Sequence, residues 1–356
     1  MNPMLTIIGA GAIGGLAGAY LTDADVPVLL VDRWREHVDA ITRDGLHVEG
    51  LRSLHARPRA VTPEDLPPRL DVVAIAVQSQ DTESALDLVV PRLAPGGYVI
   101  SLQNGFNYEL VAARVGEVRT IGTVPNYGGA VVAPGHLEYV PLGPLDIGEL
   151  NGAVTDRIRG LAGLFAPVAP VRVLTNIVGD IWGKQIYCSW VILTALVDGP
   201  MHAVMDTEVG KRLAALLVRE ALTVADAAGV RIDPSDYFDP DLFRPRTSAD
   251  TARVYAFFDD LVVRLCRTRQ DHPGGHAFRK IGSGIWWDLA YRKRRSETRG
   301  LTGAVVERGN RLGVPVPLNA ALVEMIYEIE DERRRMGWEN VEDLDRVRRQ
   351  LGLDLP

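Results

Sequence analysis

A glycine-rich turn near the start of the chain constrains its fold most strongly. Residues 6–15 read TIIGAGAIGG, which places G-x-G-x-x-G between a short apolar run and a helical pattern. Eighteen residues after Gly14, a second apolar run ends at Asp32. This order of strand, turn, helix and strand is typical of a βαβ dinucleotide-binding unit, whose terminal acid contacts a ribose. The sequence therefore predicts a dinucleotide at this turn.

Each glycine of the turn has a separate physical role in that interpretation. Gly9 permits the tight turn, Gly11 lets the backbone approach a pyrophosphate, and Gly14 lets the helix pack closely on the strand. The predicted helix begins at Ala12. The unpaired N–H groups of Ala12 and Ile13 and the positive end of the helix dipole would face the phosphates. Because glycine-rich turns are common, a purely structural turn is the alternative.

Composition narrows the class of protein. A chain of 356 residues favours two domains, and a net charge of −7 argues against nucleic acid as a partner. The two cysteines, Cys188 and Cys266, lie far apart, as expected in a reducing compartment, and the spacing of possible ligands predicts no metal site. No signal peptide or membrane-spanning stretch is evident, so we expect a soluble, cytoplasmic protein.

The first part of the chain alternates strand and helix patterns, which predicts a doubly wound parallel sheet of Rossmann type over residues 1–175. Ligands of such sheets bind where the strand order reverses, beyond the carboxyl ends of the strands. The glycine turn, residues 77–80 and residues 103–105 all follow predicted strands. We expect β-hairpins over 120–150. The predicted strands cover 4–8, 26–31, 71–77, 97–102 and 119–124, and the helices cover 12–22, 34–44, 81–93 and 107–115.

Helical periodicity dominates the rest of the chain and predicts an all-α domain over residues 176–356, which would bind the substrate. Proline and aspartate between 230 and 247 indicate a loop or insertion, and residues 271–275 indicate a second break. The charged tail after 331 is expected to be a solvated helix face. The predicted helices cover 178–196, 206–229, 248–268, 283–293, 301–312 and 318–335.

Several segments resemble the ketopantoate reductase family, the 2-dehydropantoate 2-reductases of pantothenate synthesis. They come in the family's order and cover nearly the whole chain except about 230–280, where this protein is longer than the family norm. The resemblance implies NAD(P)H-dependent reduction of a 2-oxo acid in a cleft between a Rossmann domain and a helical domain. The segments are residues 8–15, Gln103-Asn104-Gly105, Trp182-Gly183-Lys184, Ser296-Glu297 and residues 312–317.

The resemblance also implies roles for four residues. Lys184 matches a general acid, and Glu297 matches a glutamate that holds the substrate and steadies the lysine. A cation next to the carbonyl oxygen suits this chemistry, because hydride delivery to the carbon leaves negative charge on that oxygen. Asn104 matches a residue near nicotinamide and substrate, and Ser283 one that contacts the substrate carboxylate. The alternatives are a surface lysine, a solvated charged run, a turn asparagine and a helix-start serine.

Four positions depart from the family pattern. Gln78 stands where the family usually has a lysine near cofactor and substrate. Cys188 and Ile192, one and two helical turns past Lys184, stand where asparagines are usual, and Arg299 lies near a usual aspartate. Sites that select hydroxylated substrates do so through buried hydrogen bonds. Loss of these amides therefore favours a bulkier or more apolar 2-oxo acid, ketone or imine, with Cys188 lining its site.

The choice of cofactor stays open between NADP and NAD. Asp32 would accept a hydrogen bond from a ribose 2′-hydroxyl and repel a 2′-phosphate, which favours NAD. Arg33 matches a family arginine that pairs with the 2′-phosphate of NADP. Gln78 removes a further cation from the region.

These observations predict an NAD(P)H-dependent reductase of the ketopantoate reductase type that acts on a small molecule. An opine-like or imine-reducing dehydrogenase on the same scaffold is one alternative. A nicotinamide-sensing regulator without turnover is another, although it would not need both Lys184 and Glu297. A homodimer is an open question at this stage.

Overall fold

The computed structural model describes residues 4–140, 143–235, 238–270 and 278–356, without the side chains of 265–270. It divides into two compact units, Met1–Ile181 and Trp182–Pro356. The predicted boundary between 175 and 176 lies just before the helix Ile177–Leu193, whereas the division between units falls inside that helix. Among the described residues, no helix is both long and apolar enough to span a membrane.

The strands of the first unit form two sheets. Their bounds are β1 Leu5–Ile8, β2 Val28–Val31, β3 Leu46–Gly50, β4 Leu54–Ala56, β5 Arg59–Val61, β6 Leu70–Ile75, β7 Leu93–Ser101, β8 Thr120–Pro125, β9 Gly128–Ala133, β10 His136–Val140, β11 Leu145–Glu149 and β12 Val171–Val173. The larger sheet has the order β12-β11-β8-β7-β6-β1-β2-β5, and its neighbouring strands are parallel except β8 and β11. The predicted Rossmann-type sheet is confirmed.

Helices cover both faces of this sheet. They are α1 Ala12–Asp23, α2 Arg35–Asp44, α3 Thr82–Val89, α4 Asn107–Val115 and α5 Asp156–Phe165. Because side chains alternate along a strand, β1 contributes Leu5 and Ile7 to one core and Ile8 to the other. The first core includes α1 and α5, and the second includes α3 and α4. Burial on both faces explains why β1 and β2 are almost entirely apolar.

The smaller sheet corrects part of the sequence analysis. Its order is β4-β3-β10-β9. The hairpin expectation for residues 120–150 is right for β9 and β10, which pair antiparallel, but β8 and β11 belong to the larger sheet. Strands β3, β4 and β5 were not predicted. They are three to five residues long, and β10, the partner that holds β3 in a parallel pair, lies far along the chain.

The described part of the second unit is helical, as predicted. The helix Ile177–Leu193, named α6, enters it and is followed by α7 Met201–Met205, α8 Glu208–Ala227, α9 Ser248–Gln270, α10 Gly284–Trp286, α11 Thr302–Leu312, α12 Pro317–Glu330 and α13 Trp338–Gln350. The helix predicted over 283–293 is instead the short α10 followed by a π-helix over Trp287–Tyr291. The break predicted at 271–275 lies outside the described residues.

The segment after α8, which was predicted as a loop or insertion, supports helix α6 with aromatic side chains. Phe238 and Phe243 are buried and their rings stack with centroids 5.5 Å apart. Phe238 also meets the ring of Tyr187 on α6 edge to face, at 6.2 Å. A Cβ on Gly183 would lie 3.1 Å from Ile232, so the segment also approaches the α6 backbone closely. The extra residues therefore brace the helix that carries Lys184.

The charged tail forms a helix that has a buried side in addition to an exposed, charged face. Helix α13 buries Val341, Leu344 and the paired Arg348. Its buried Asn340 donates to the backbone oxygen of Leu196. The charges in this tail are largely paired with one another, which allows the sparse apolar positions between them to pack.

A half-buried carboxylate on α8, which accepts hydrogen bonds from the start of α12, yields a test of stability in the second unit. Glu220 accepts from the backbone N–H groups of Leu318 and Asn319, at 3.1 and 3.0 Å, and from the Asn319 side chain at 3.0 Å. Its pKa is raised by burial, against the effect of these bonds. We expect Glu220→Ala to lower the free energy of unfolding by about 2 kcal/mol, because helix-start donors lose their acceptor.

Urea unfolding followed by tryptophan fluorescence measures this loss, since five of the six tryptophans lie after residue 181. Glu220→Gln, which keeps one acceptor oxygen, should lose less than the alanine variant. Equal unfolding midpoints for the wild type and Glu220→Ala would show that the carboxylate does not hold α12.

Candidate active site

The glycine turn is shaped by close backbone approaches. Gly9 has φ +102°, and a Cβ there would lie 2.9 Å from backbone atoms of Ala76 and Val77. A Cβ on Gly14 would lie 2.0 Å from the backbone oxygen of Gly9. Both positions therefore require glycine for the fold itself. These contacts bring the turn after β1 against the segment that follows β6.

Gly11 differs, because the space beside it is open. Among the described residues, no atom lies within 4 Å of a Cβ built on Gly11. Gly11 caps α1, whose first turn contains no acidic residue. The N–H groups at Ala12 and Ile13 thus begin a helix beside an open space, which suits a pyrophosphate. By this geometric test, the turn fits the dinucleotide that the sequence predicts.

The turn also lies at the point where the strand order reverses. Strand β1 is flanked by β2 on one side and β6 on the other, and β7 follows β6. Ile8 pairs with Ile75, and Ile75 pairs with Ser101, so β1, β6 and β7 end at the same level. The segments beginning at Gly9, Ala76 and Leu102 consequently share the sheet edge at which such folds bind ligands.

Asp32 and His37 hold the glycine turn in place. Asp32 follows β2, and its two carboxylate oxygens accept from the N–H groups of Ala10, at 2.8 Å, and Trp34, at 2.9 Å. The buried His37 accepts at Nδ1 from Gly135 N–H, so its Nε2 donates to the Ala10 oxygen at 3.0 Å. Asp32, predicted to contact the cofactor, therefore also has a structural role, and His37 is a supporting residue that the sequence analysis missed.

The guanidinium of Arg33 is already paired. Its Nη1 and Nη2 donate to Oδ1 and Oδ2 of Asp81, at 2.9 and 3.0 Å. Asp81 lies between β6 and α3, and the sequence analysis gave it no role. Gln78, three residues earlier, accepts from the side chain of Gln80 at 2.8 Å. The ion pair between Arg33 and Asp81 thus joins the segment after β2 to the segment after β6.

Asn104 follows β7 beside a network of polar side chains. The buried Gln103 donates to the Val77 oxygen at 2.9 Å and to the Thr82 hydroxyl at 2.8 Å. Asn107 donates to the Ser79 hydroxyl and to the backbone oxygen of Asn104. The side-chain oxygen of Asn104 is buried, and the described residues offer it no hydrogen-bond donor. A buried acceptor without a donor is a place where a ligand can bind.

The second unit brings three candidate residues within electrostatic range of one another. Lys184 and Cys188 lie one turn apart on α6. Burial raises the pKa of the Cys188 thiol, the nearby Glu297 carboxylate raises it further, and the Lys184 ammonium lowers it. An ammonium and a carboxylate therefore both lie within electrostatic range of the half-buried Cys188 thiol. Ile192, one turn further, is fully buried.

Other candidates of this unit have visible structural roles. Ser283 is buried and caps α10, with its Oγ accepting from Trp286 N–H at 3.1 Å. This is the helix-start role named as its alternative. Glu330 on α12 accepts from both the N–H and the hydroxyl of Ser296, at 2.9 and 2.6 Å, and so anchors the residue before Glu297. The guanidinium of Arg299 lies over the Tyr327 ring at 5.5 Å.

No local motif marks Asp81, His37 or Glu330 in the sequence. Each acts on a partner at least 27 residues away, across two or more elements. The repeated polar residues after β6 and β7 were the only available signal, and they indicated the segments rather than the pairs.

Comparison with known proteins identifies the family. Residues 5–152 match the family described as ketopantoate reductase PanE/ApbA, and residues 176–330 match its C-terminal counterpart. The chain is 26% identical over 328 residues to the 2-dehydropantoate 2-reductase of Halobacterium salinarum, covering 90% of this chain and 97% of that protein. It is 27% identical over 326 residues to that of Pyrococcus abyssi, covering 90% and 95%.

Solved structures agree in fold. A PanE/ApbA family ketopantoate reductase from Ralstonia eutropha JMP134 superposes with a TM-score of 0.72 at 28% identity, over 92% of this chain and 99% of that one. D-mandelate dehydrogenase with NADH and anilino(oxo)acetate superposes with a TM-score of 0.76 at 21% identity, over the same shares. The chain belongs to the ketopantoate reductase PanE/ApbA family and is an NAD(P)-dependent oxidoreductase.

Proposed function

We propose that the chain reduces 2-oxo acids with an apolar or aromatic side chain, using NADH. The observation that carries this proposal is the position of the half-buried Cys188 thiol on α6, one turn from Lys184 and within electrostatic range of Glu297. The charged pair needed for carbonyl reduction is retained, whereas a thiol takes the place of an amide beside it.

The residues of the second unit fit the chemistry of the carbonyl oxygen. Reduced nicotinamide supplies a hydride to the carbonyl carbon when it is bound. Lys184 Nζ stabilises the charge on the oxygen and donates the proton that completes the hydroxyl. Glu297 keeps the ammonium oriented and accepts a hydrogen bond from the new hydroxyl. The anchoring of Ser296 by Glu330 restricts where this carboxylate can lie.

The excess of positive charge in one segment supports the proposal that the substrate is an anion. Residues 279–299 contain seven cations and two anions, in a chain whose net charge is −7. A cationic segment of this kind raises the local concentration of small anions. Ser283 lies within it, and its Oγ accepts from Trp286 N–H, so its own proton can be donated to a carboxylate. These features favour a 2-oxo acid over a neutral ketone or an imine.

An apolar substrate side chain is supported by Cys188 and Ile192. Both replace amides of the family pattern, and Ile192 is fully buried. A site without those amides loses the buried hydrogen bonds that select a hydroxylated substrate. D-mandelate dehydrogenase, similar in fold, has been solved with the aromatic ligand anilino(oxo)acetate and with NADH.

NADH is supported by the charges after β2. Asp32 is an acid at the position that contacts the adenosine ribose in such folds, and the guanidinium of the next residue, Arg33, is paired with Asp81. A 2′-phosphate would meet two carboxylates there and a guanidinium that is already paired. The Asn104 oxygen remains as a buried acceptor for nicotinamide, its ribose or the substrate.

Steady-state kinetics with a panel of substrates tests the proposal. Phenylglyoxylate, phenylpyruvate, 2-oxoisovalerate, ketopantoate and an imine would each be offered with NADH and with NADPH. We expect the highest kcat/KM for an apolar or aromatic 2-oxo acid with NADH. Ketopantoate as the best substrate would contradict the altered specificity, the imine as the best would favour the alternative enzyme class, and binding without turnover would favour a sensor.

The thiol can be tested separately. Cys188→Asn restores the amide of the family pattern, so we expect it to raise kcat/KM for ketopantoate about tenfold and to lower it for the best apolar substrate, since a buried hydrogen bond discriminates at about this level. Cys188→Ser controls for loss of the thiol alone and should not give the gain. Unchanged relative activities in Cys188→Asn would show that this position does not contact the substrate.

A further inference from the structure

We propose that Asp81 sets the cofactor preference of this protein by engaging Arg33 and so denying it to a 2′-phosphate. The inference rests on the proposed use of NADH and adds a residue to it. Asp81 lies after β6, in a different βα connection from the glycine turn and from Arg33, and no motif of the dinucleotide fold includes it.

The ion pair between Arg33 and Asp81 has the same geometry as a pair between a guanidinium and a phosphate. Both terminal nitrogens of Arg33 donate to the two oxygens of Asp81, at 2.9 and 3.0 Å. A guanidinium binds a phosphate through the same parallel pair of hydrogen bonds. Arg33 cannot offer this pair of donors to a phosphate while it offers them to Asp81, so the two acceptors compete.

Asp81 is the more fixed partner of the two. Its N–H donates to the Gln78 oxygen at 2.9 Å, and its own backbone oxygen accepts from the Ser84 hydroxyl at 2.9 Å. Its side chain is 23% exposed, compared with 75% for Arg33. The backbone of Asp81 is therefore held and its carboxylate is the less exposed partner, so a phosphate that captured Arg33 would lie near a carboxylate that had lost its partner.

The consequence differs between the two cofactors. The ribose 2′-hydroxyl of NAD needs only an acceptor, which Asp32 can supply, and makes no demand on Arg33. The 2′-phosphate of NADP carries nearly two negative charges and needs the cation. Asp81 thus lowers the affinity for NADP and leaves the affinity for NAD unchanged. Arg33, an arginine typical of NADP sites, therefore does not select NADP here.

The test measures cofactor binding without substrate. The dissociation constants of NADH and NADPH would be determined by nicotinamide fluorescence for the wild type and Asp81→Asn. We expect NADPH to bind roughly tenfold more tightly to Asp81→Asn, with NADH unchanged within about twofold, because Arg33 is released to pair with the 2′-phosphate. Asp87→Asn is the matched control, since Asp87 lies on α3 in an exposed ion pair with Arg114 and should leave both constants unchanged.

A second variant separates release of Arg33 from a general change of charge. In Arg33→Gln combined with Asp81→Asn, the gain in NADPH affinity should disappear. An unchanged ratio of the two constants in Asp81→Asn, or a gain that persists without Arg33, would overturn the role of Asp81. A wild type that binds NADPH more tightly than NADH would instead contradict the NADH part of the proposed function.

Discussion

Lys184→Ala is expected to lower kcat for the best 2-oxo acid about 100-fold or more, the range seen when a general acid is lost. The alanine can neither stabilise the charge on the carbonyl oxygen nor protonate it. NADH should still bind with the wild-type dissociation constant, because the residues proposed to hold the pyrophosphate belong to the first unit and Lys184 to the second. Stopped-flow and steady-state kinetics, together with fluorescence titration, measure the two effects separately.

Lys211→Ala is the matched control for this variant. Lys211 lies on α8 of the same unit and pairs with Asp259 rather than with any candidate site residue. We expect it to keep wild-type kcat. Glu297→Gln should impair substrate use and leave NADH binding intact, since it keeps the shape and removes the charge. A Lys184→Ala protein with wild-type kcat would refute the proton-donor role.

Gly11→Asp should weaken binding of both NADH and NADPH by at least about 100-fold, because a carboxylate would stand where the pyrophosphate approaches the start of α1. The structure makes this a clean variant. A Cβ on Gly11 meets no described atom within 4 Å, whereas one on Gly9 or Gly14 would strike backbone. The protein should therefore fold normally and fail to bind, as judged by circular dichroism and fluorescence titration.

Gly160→Asp provides the control for introducing the same residue elsewhere. Gly160 lies on the exposed side of α5, and a Cβ there also meets nothing within 4 Å. It should bind NADH like the wild type. If Gly11→Asp binds NADH with unchanged affinity, the glycine turn is structural only, which was the alternative left open by the sequence.

The parts of the fold that were predictable are those that neighbouring residues in the sequence specify. β1, the glycine turn and α1 were predicted because apolar periodicity and glycine spacing specify them within about twenty residues. β3 could not be predicted, since a five-residue strand of alternating character depends on pairing with β10, about ninety residues away. The π-helix over Trp287–Tyr291 has a helical pattern, so sequence periodicity does not separate it from an α-helix.

The candidate site also has a part that was predictable from the sequence and a part that was not. The resemblance named Lys184, Glu297, Ser283 and Asn104, and their roles stay predictions until they are tested. The ion pairs and hydrogen bonds around the candidate residues were not predictable, because pairs such as Arg33 with Asp81 or Ser296 with Glu330 form between segments whose distance is set only by the folded chain. Asp32 is an example, because the motif predicts its contact with a ribose but does not predict the hydrogen bonds that Asp32 accepts from Ala10 and Trp34.

We propose above that this protein transfers hydride from NADH to the carbonyl carbon of a 2-oxo acid. The direct measurement is to incubate it with phenylglyoxylate and NADH deuterated at both C4 positions, and to analyse the product by mass spectrometry and proton NMR. We expect a 2-hydroxy acid with one deuterium on C2, formed in step with oxidation of the cofactor. Cofactor that binds but is not oxidised across the panel of 2-oxo acids, or product without deuterium at C2, would contradict it.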